Sequence, residues 1–162
     1  MNRRVHVPVV LAVVLLAALG ACRSDPTPVP RPAEATKQGS GQERHDLAPL
    51  TRRFPRLGDP LGATWYSGTL GGDRAPGPST YWIDAVVELE PATAAALQRE
   101  HAPAAAQEPP DVVDELRPDL SASGLLASSS LSSAFSTPGF SARVWLDPSG
   151  HRLVLSARGQ GD

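Results

Sequence analysis

The chain is poor in cysteine, in lysine and in aromatic residues, and each shortage excludes a class of protein or site. Its 162 residues contain a single cysteine, so neither an internal disulfide nor a cysteine-based zinc site can form. The only lysine, Lys37, precedes the part of the chain that is predicted to fold, which excludes a lysine nucleophile in that part. Aromatic residues make up 5% of the chain, and all of them lie between Phe54 and Trp145. The residues before Phe54 therefore lack the large apolar side chains whose burial offsets the entropy cost of ordering.

The chain also lacks an excess of positive charge and the common catalytic motifs. Acidic residues outnumber basic residues by 17 to 15, which gives a net charge of −2. A nucleic-acid-binding protein needs clustered basic side chains, so we expect no nucleic acid partner. The motifs GxSxG, SxxK and HExxH are absent, and His45, His101 and His151 are too widely spaced to share a metal ion. The sequence therefore predicts no catalytic residue, no metal site and no cofactor, and it favours a protein that is not an enzyme.

The first 22 residues have the order of parts that is typical of a secretory signal peptide. Two arginines, Arg3 and Arg4, precede an apolar run over residues 7–19, and two small residues separate that run from Cys22. The run has the length of a signal-peptide core and is shorter than the roughly 18–20 apolar residues that a bilayer-spanning helix needs. The stretch LGAC, which ends at Cys22, resembles the lipobox of bacterial lipoproteins.

This resemblance to bacterial lipoproteins implies a lipid anchor. In that class the cysteine sulfur, here that of Cys22, receives a diacylglycerol, and the signal peptide, here residues 1–21, is removed. Acyl chains such as palmitate would then hold the protein at the outer face of the cell membrane, since two chains suffice for stable anchoring. The alternatives are an ordinary cleaved signal peptide or an uncleaved anchor, and the Arg3–Arg4 pair leaves both the general secretory and the twin-arginine export routes open. The resemblance covers residues 1 to about 25, and the mature domain resembles no characterised family.

Composition divides the rest of the chain into a tether, a domain and a short tail. Residues 22–48 carry alternating prolines and then a Gly-Ser-Gly stretch, a composition typical of an extended, solvated linker. Residues 49–158 are long enough to bury one modest core, and residues 159–162 form a C-terminal tail. The basic stretch TRRFPR, residues 51–56, is interpreted as a solvated entry to the domain or as a contact with anionic lipids or wall polymers.

Several stretches of the predicted domain have the alternating pattern of strands. Residues 61–70 and 80–90 are rich in β-favouring residues, and residues 141–157 read as a hairpin with an Asp-Pro-Ser-Gly turn at 147–150. Residues 128–136 are interpreted as a weaker strand, with a serine-rich linker as the alternative. These patterns predict a sheet built from neighbouring antiparallel strands.

Two further stretches favour helices. Residues 91–100 begin with a proline and are rich in strong helix formers, and residues 109–118 combine a proline, early acidic residues and an apolar side. The order of elements predicts an α+β fold, with an antiparallel sheet of about four or five strands and one or two short helices on one face.

Adjacent aromatic pairs on two predicted strands point to a binding surface. Neighbours along a strand face opposite sides of the sheet, so each pair sends one ring to each side. If helices cover only one side, the other carries an exposed ring cluster, which is typical of surfaces that bind sugars, peptides or proteins; the alternative is that loops or the serine-rich segment cover it. The candidate ligand-binding residues are Trp65, Tyr66, Tyr81, Trp82 and Trp145.

Asp84 and Glu88 lie on the same predicted strand face, four residues apart. Their Cα atoms would be about 13 Å apart, whereas the paired carboxyl groups of glycosidases lie about 5–9.5 Å apart. We therefore expect a solvated sheet face rather than a catalytic pair. The sequence predicts a lipid-anchored, extracytoplasmic domain that binds a ligand or an envelope partner, either protein or glycan. The alternatives are a cell-envelope hydrolase, which a serine–histidine contact would support, or a purely structural or assembly-accessory lipoprotein.

Overall fold

The structure is a computed structural model, and its described residues all belong to residues 34–162, one of two compact units into which the chain divides. The other unit, residues 1–33, contains the predicted signal peptide and Cys22, which therefore lie outside the described residues. The described residues are 37–38, 41–71, 80–121, 124–147 and 151–160.

The described residues form seven strands, three α-helices and two short 3-10 helices. Four of the strands are long, with seven or nine residues each, and the other three have two residues each. In chain order the elements are β1 (Lys37–Gln38), α1 (Leu47–Arg53), a 3-10 helix (Pro55–Leu57), β2 (Gly62–Leu70), β3 (Thr80–Glu88), α2 (Pro91–His101), β4 (Ala104–Ala105), a 3-10 helix (Asp114–Asp119), β5 (Leu126–Ala127), α3 (Ser129–Phe135), β6 (Phe140–Leu146) and β7 (Arg152–Gln160).

The strands form one sheet in the order β1-β2-β3-β7-β6-β5-β4, and every pairing of these strands is antiparallel. The α+β class and the antiparallel sheet are therefore confirmed. The expected number of strands, four or five, is wrong because the sheet has seven. The additional strands include the two-residue elements at the sheet edges, which are too short to produce an alternating pattern in the sequence.

The three α-helices pack against the same face of the sheet. Buried residues of each helix, among them Leu50, Leu97 and Leu131, share one hydrophobic core with the central strands. On β3 the contributing residues run alternately from Ile83 to Val87, as the sequence pattern predicts. The prediction of helices on one face is thus confirmed for the α-helices, although there are three of them rather than one or two.

The opposite face of the sheet is closed by residues 106–120, here called the covering segment. Val112 and Leu116 of this segment are buried against the sheet. The helix predicted at 109–118 is a shorter 3-10 helix, and Pro118 within it cannot donate a backbone hydrogen bond. The sheet residues in this second core are Tyr66, Trp82, Val86, Trp145 and Val154.

The prediction of a strand or linker over residues 128–136 is wrong, because this stretch forms α3. The Ser128 hydroxyl accepts a hydrogen bond from the backbone N–H of Leu131 at 3.1 Å, which caps the helix start. Leu131 and Phe135, four residues apart, are both buried in the core beneath the helices. A helix brings residues at this spacing to one side, so the stretch buries its two large side chains as a helix and leaves most serines outside.

The domain begins earlier in the chain than the sequence predicts. Strand β1 and Arg44 fall within the predicted tether, residues 22–48, yet both belong to the fold. The backbone N–H and carbonyl of Arg44 each pair with Trp65 at 2.9 Å. Helix α1 extends into the expected entry segment, residues 51–56, and both Leu50 within the helix and Phe54 just after it are buried.

The end of the domain also differs from the prediction. Strand β7 continues through Gln160 and so includes half of the predicted tail, residues 159–162. Strands β6 and β7 pair as the predicted hairpin, while residues 148–150 of its turn lie outside the described residues. Both hydrophobic cores are built from residues between positions 50 and 157. Residues 34–162 therefore contain every residue of both cores and can be studied as a separate domain.

Candidate functional site

The structure buries most of the predicted aromatic binding residues. Trp65 faces the helices, whereas Tyr66, Trp82 and Trp145 face the covering segment, so the two sides were predicted correctly. All four are buried, Trp65 beneath the helices and the other three because the covering segment packs over the face that was expected to be open; Trp82 is 0% exposed. The expectation of an exposed ring cluster is therefore wrong for these four residues. Only Tyr81 among the five is exposed, at 41%.

Asp84 is buried in a polar network rather than on a solvated face. Its carboxylate accepts hydrogen bonds from the Lys37 ammonium at 2.7 Å, from the Ser156 hydroxyl at 2.9 Å and from the backbone N–H of Val113 at 2.9 Å. Burial raises the pKa of Asp84 above its ordinary value, while Lys37 and the other donors oppose this rise. Glu88 at the end of the same strand is exposed. One substrate cannot reach both carboxylates, so the two do not form a catalytic pair.

A serine–histidine contact is present, but its hydrogen bond runs in the wrong direction for a hydrolase, in which the serine must donate to the histidine. The Nδ1 atom of His101 lies 2.9 Å from the Ser130 hydroxyl, and its Nε2 atom lies 3.3 Å from a guanidinium nitrogen of Arg56. A guanidinium can only donate, so in the neutral imidazole this contact makes Nε2 the acceptor and places the ring proton on Nδ1. The histidine therefore donates to Ser130, whereas a general base must accept the proton of its serine. These contacts join α2 and α3 to the first 3-10 helix.

A second chain of polar contacts fixes the segment before α1 to β2. The Tyr66 hydroxyl donates to Glu43 at 2.7 Å, and the other carboxylate oxygen of Glu43 lies 3.0 Å from Nε2 of His45. The hydrogen bond from Tyr66 is the largest influence that lowers the pKa of Glu43, and the same contact raises the pKa of Tyr66 to about 12. Nδ1 of His45 lies 3.0 Å from the carbonyl of Ala63, so both ring nitrogens are engaged.

Two further observations concern metal-binding groups and membrane-spanning helices among the described residues. They contain no group of three or more His, Cys, Asp or Glu side chains placed to hold a metal ion. No helix in this part of the chain is both long and apolar enough to cross a membrane.

The most promising binding site is a cleft of about 290 Å³ on the helical face, at the end of the sheet beyond α1. Helix α1 ends at Arg53, and the ring of Phe54 packs edge-on against Phe140 with a centroid distance of 5.8 Å. Tyr81 pairs across the sheet with Thr69 and Gly159, the ring of Phe140 occupies the place above Gly159, and Tyr81 and Phe140 both line this space. We call this space the Tyr81 cleft; its lining includes Arg44, Arg53, Trp65, Ser67, Tyr81, Ile83, Phe140 and Gln160.

The Tyr81 cleft combines aromatic surface with positive charge. Among the described residues, no acidic side chain lines it. Arg44 stacks over the ring of Trp65 at 4.0 Å and is neutralised by Asp46, with which it forms two hydrogen bonds. Arg53 donates to the carbonyl of Pro49, and no carboxylate among the described residues pairs with its guanidinium. The charge of Arg53 therefore remains available to a ligand.

The polar groups of the cleft are also available. Within the described part of the chain, the hydroxyls of Tyr81 and Ser67 have no hydrogen-bond partner. The cleft thus presents one unpaired cation and two free hydroxyls beside aromatic rings, an arrangement that can bind a ligand but holds no group positioned for bond cleavage.

No protein-family model, curated protein or solved structure matches this chain. The assignment of a site consequently depends on the geometry above. Of its lining residues, the sequence analysis predicts Trp65, Tyr81 and Trp82 as ligand-binding and places Arg53 in the basic entry segment. It missed Arg44, Ser67 and Phe140. The alternation of β2 and β3 places Ser67 and Tyr81 on the same face, so that pattern could have found Ser67.

Proposed function

We propose that this protein is a lipoprotein that is anchored through Cys22 at the outer face of the cell membrane and binds an acidic sugar residue of an envelope glycan in the Tyr81 cleft. The observation that carries the binding part is the unpaired guanidinium of Arg53 beside the exposed ring of Tyr81. The anchoring part is supported by the lipobox resemblance of the stretch that ends at Cys22.

The chemistry of the cleft favours an acidic, ring-shaped ligand. The faces of aromatic rings pack against the apolar faces of sugar rings, and Tyr81 and Phe140 supply such surface. Arginine binds carboxylates through two parallel N–H groups, which matches one acidic group on the ligand to the one unpaired cation of the cleft. A volume of about 290 Å³ suits a single sugar residue rather than a long chain segment.

The two alternatives are an envelope hydrolase and a purely structural lipoprotein. The hydrolase finds little support, because the Ser130 hydroxyl accepts a hydrogen bond from His101 instead of donating one, and because Asp84 is buried away from Glu88. The structural alternative predicts that the cleft binds nothing, so the binding experiment below also tests it.

The anchor is tested in the full-length chain expressed in a bacterial host. The native protein is expected to incorporate labelled palmitate and to fractionate with membranes. Cys22→Ser is expected to lose both the label and the membrane association, because the sulfur that receives the diacylglycerol is removed. Label or membrane association that persists in this variant would contradict the anchor.

Binding is tested on residues 34–162 by titration with glucuronic acid and, for comparison, with glucose. The native domain is expected to bind the acid and to bind glucose more weakly. Arg53→Gln should weaken binding of the acid by roughly tenfold to a hundredfold, since a hydrogen bond to a charged group contributes about 1.5–3 kcal/mol. Arg52→Gln is the matched control, because Arg52 is exposed on the same helix turn and does not line the cleft. Equal effects of the two substitutions, or no preference for the acid, would refute the proposal.

A further inference from the structure

Strand β1 pairs with the edge of the sheet and is also held there by one long side chain. The strand has two residues, Lys37 and Gln38, which pair with Leu70 and Thr69 of β2. The Lys37 side chain extends from this edge across the face that the covering segment closes. Its ammonium lies 5.7 Å from the centre of the Trp82 ring, and the side chain is 15% exposed.

The same ammonium also holds the covering segment. It donates to the Asp84 carboxylate and to the backbone carbonyl of Asp111, both at 2.7 Å. The carboxylate oxygen that accepts from Lys37 also accepts from the backbone N–H of Val113 at 2.9 Å. Lys37 and Asp84 therefore connect β1, the centre of the sheet and residues 111–113 through atoms in direct contact.

The apolar surface beneath the covering segment includes a polar atom without a partner. The Nε1 atom of Trp82 is buried and makes no hydrogen bond among the described residues. Opening the covering segment would expose this atom and the carboxylate of Asp84 to water while also exposing apolar surface. The stability of the closed state thus depends on how well the hydrogen bonds and the counter-ion of Asp84 offset the cost of burying its carboxylate.

We infer that Lys37 acts as a latch, which couples the attachment of β1 to the closure of the covering segment over the Trp82 face. When β1 detaches, Asp84 becomes a buried charge without its counter-ion. Detachment of β1 also removes the donor to the backbone carbonyl of Asp111, so residues 111–113 lose one of their contacts with the sheet, and detachment of β1 therefore favours opening. The inference rests on these contacts and requires neither the lipid anchor nor a ligand. Because β1 lies within the segment predicted to be the tether, displacement of that segment would act on the latch first.

The latch is tested by hydrogen exchange of individual amides in residues 34–162. Lys37→Met should accelerate exchange at Val113 and Leu116 by about tenfold or more, while the amide of Leu155 in the central strand β7 changes little. The double variant Lys37→Met, Asp84→Asn should recover part of the protection, because a neutral amide side chain needs no counter-ion and can still accept from Val113. Unchanged exchange at Val113, equal acceleration at all three amides, or no recovery in the double variant would overturn the latch.

The reverse direction provides a test that keeps the Lys37–Asp84 pair intact. Val112→Ala removes two methyl groups by which the covering segment packs on the sheet. If closure and attachment are coupled, this substitution also accelerates exchange at Lys37 and Gln38, since coupling between two equilibria is reciprocal. Acceleration confined to the covering segment would overturn the inference.

Discussion

Two glycines of β2 are expected to respond in opposite ways to substitution by alanine. Gly68 lies opposite Trp82 on β3, and Gly62 lies opposite Glu88 on the same strand. A Cβ atom added at position 68 would lie 2.8 Å from two atoms of the Trp82 indole, whereas one added at position 62 would meet only a Glu88 carboxylate oxygen at 3.6 Å. Trp82 is 0% exposed, so its ring has no open space into which it can move.

The magnitudes follow from two competing effects. Replacing glycine by alanine at a compatible position stabilises a protein by about 0.4–1 kcal/mol, because the unfolded chain loses conformational freedom. An overpacked core costs about 1–3 kcal/mol. Gly62→Ala has only the first effect and should raise the free energy of unfolding by about 0.4–1 kcal/mol. Gly68→Ala has both, and the midpoints of the two ranges leave a net decrease in the free energy of unfolding of roughly 1.3 kcal/mol.

The assay is urea denaturation of residues 34–162 followed by far-ultraviolet circular dichroism, which does not depend on the environment of Trp82 as fluorescence does. Trp82→Phe provides a further control, because the smaller ring makes room for the added methyl group. The cost of Gly68→Ala should therefore be smaller in the Trp82→Phe background than in the native one. A Gly68→Ala variant at least as stable as Gly62→Ala would refute the reasoning.

Two further predictions concern the buried carboxylate and the cap of α3. Because the pKa of Asp84 is raised in the folded state, that state binds the proton more tightly than the unfolded chain does, so the contribution of Asp84 to stability falls as pH rises from the ordinary value of 3.8. Urea denaturation at several pH values should show this decrease in the native domain and not in Asp84→Asn; identical slopes would contradict it. Ser128→Ala removes the hydroxyl that caps α3 and should destabilise the domain by about 1 kcal/mol. Ser133→Ala, at an exposed position of the same helix, should be neutral or slightly stabilising, and equal losses in thermal denaturation would contradict the cap.

The long elements of this fold could be predicted because each contains several repeats of a period. Strand β3 alternates over nine residues between the two faces of the sheet, and the hairpin of β6 and β7 does so as well. Helix α2 has a proline at its start and a run of strong helix formers. Helix α3 was missed because its serines suggested a strand or linker, although the spacing of Leu131 and Phe135 and the cap at Ser128 both favour a helix.

The candidate site could be predicted only in part because its residues come from distant parts of the chain. Tyr81 was recognised as a candidate, but the cation beside it, Arg53, lies in a stretch that was interpreted as the entry to the domain. Phe140 reaches the cleft from β6, with β7 between it and β3. A local pattern specifies on which side of a strand a residue lies, and it carries no information about which helix end or strand lies beside that residue in the fold.

The aromatic face was predicted to be exposed because local patterns do not reveal the contact between Lys37 and Asp84. Alternation correctly placed Trp82 and Asp84 together on one face, and an aspartate on a strand favours the view that this face meets water. Burial becomes possible because Lys37, 47 residues earlier in the chain, donates to that carboxylate together with Val113 and Ser156. The one lysine therefore has two consequences: it supplies the counter-ion of Asp84, and it allows the covering segment to close over the tryptophans. Without Lys37, closure of the covering segment would bury the charge of Asp84 without a counter-ion. The aromatic face would then be expected to stay exposed, as the sequence predicts.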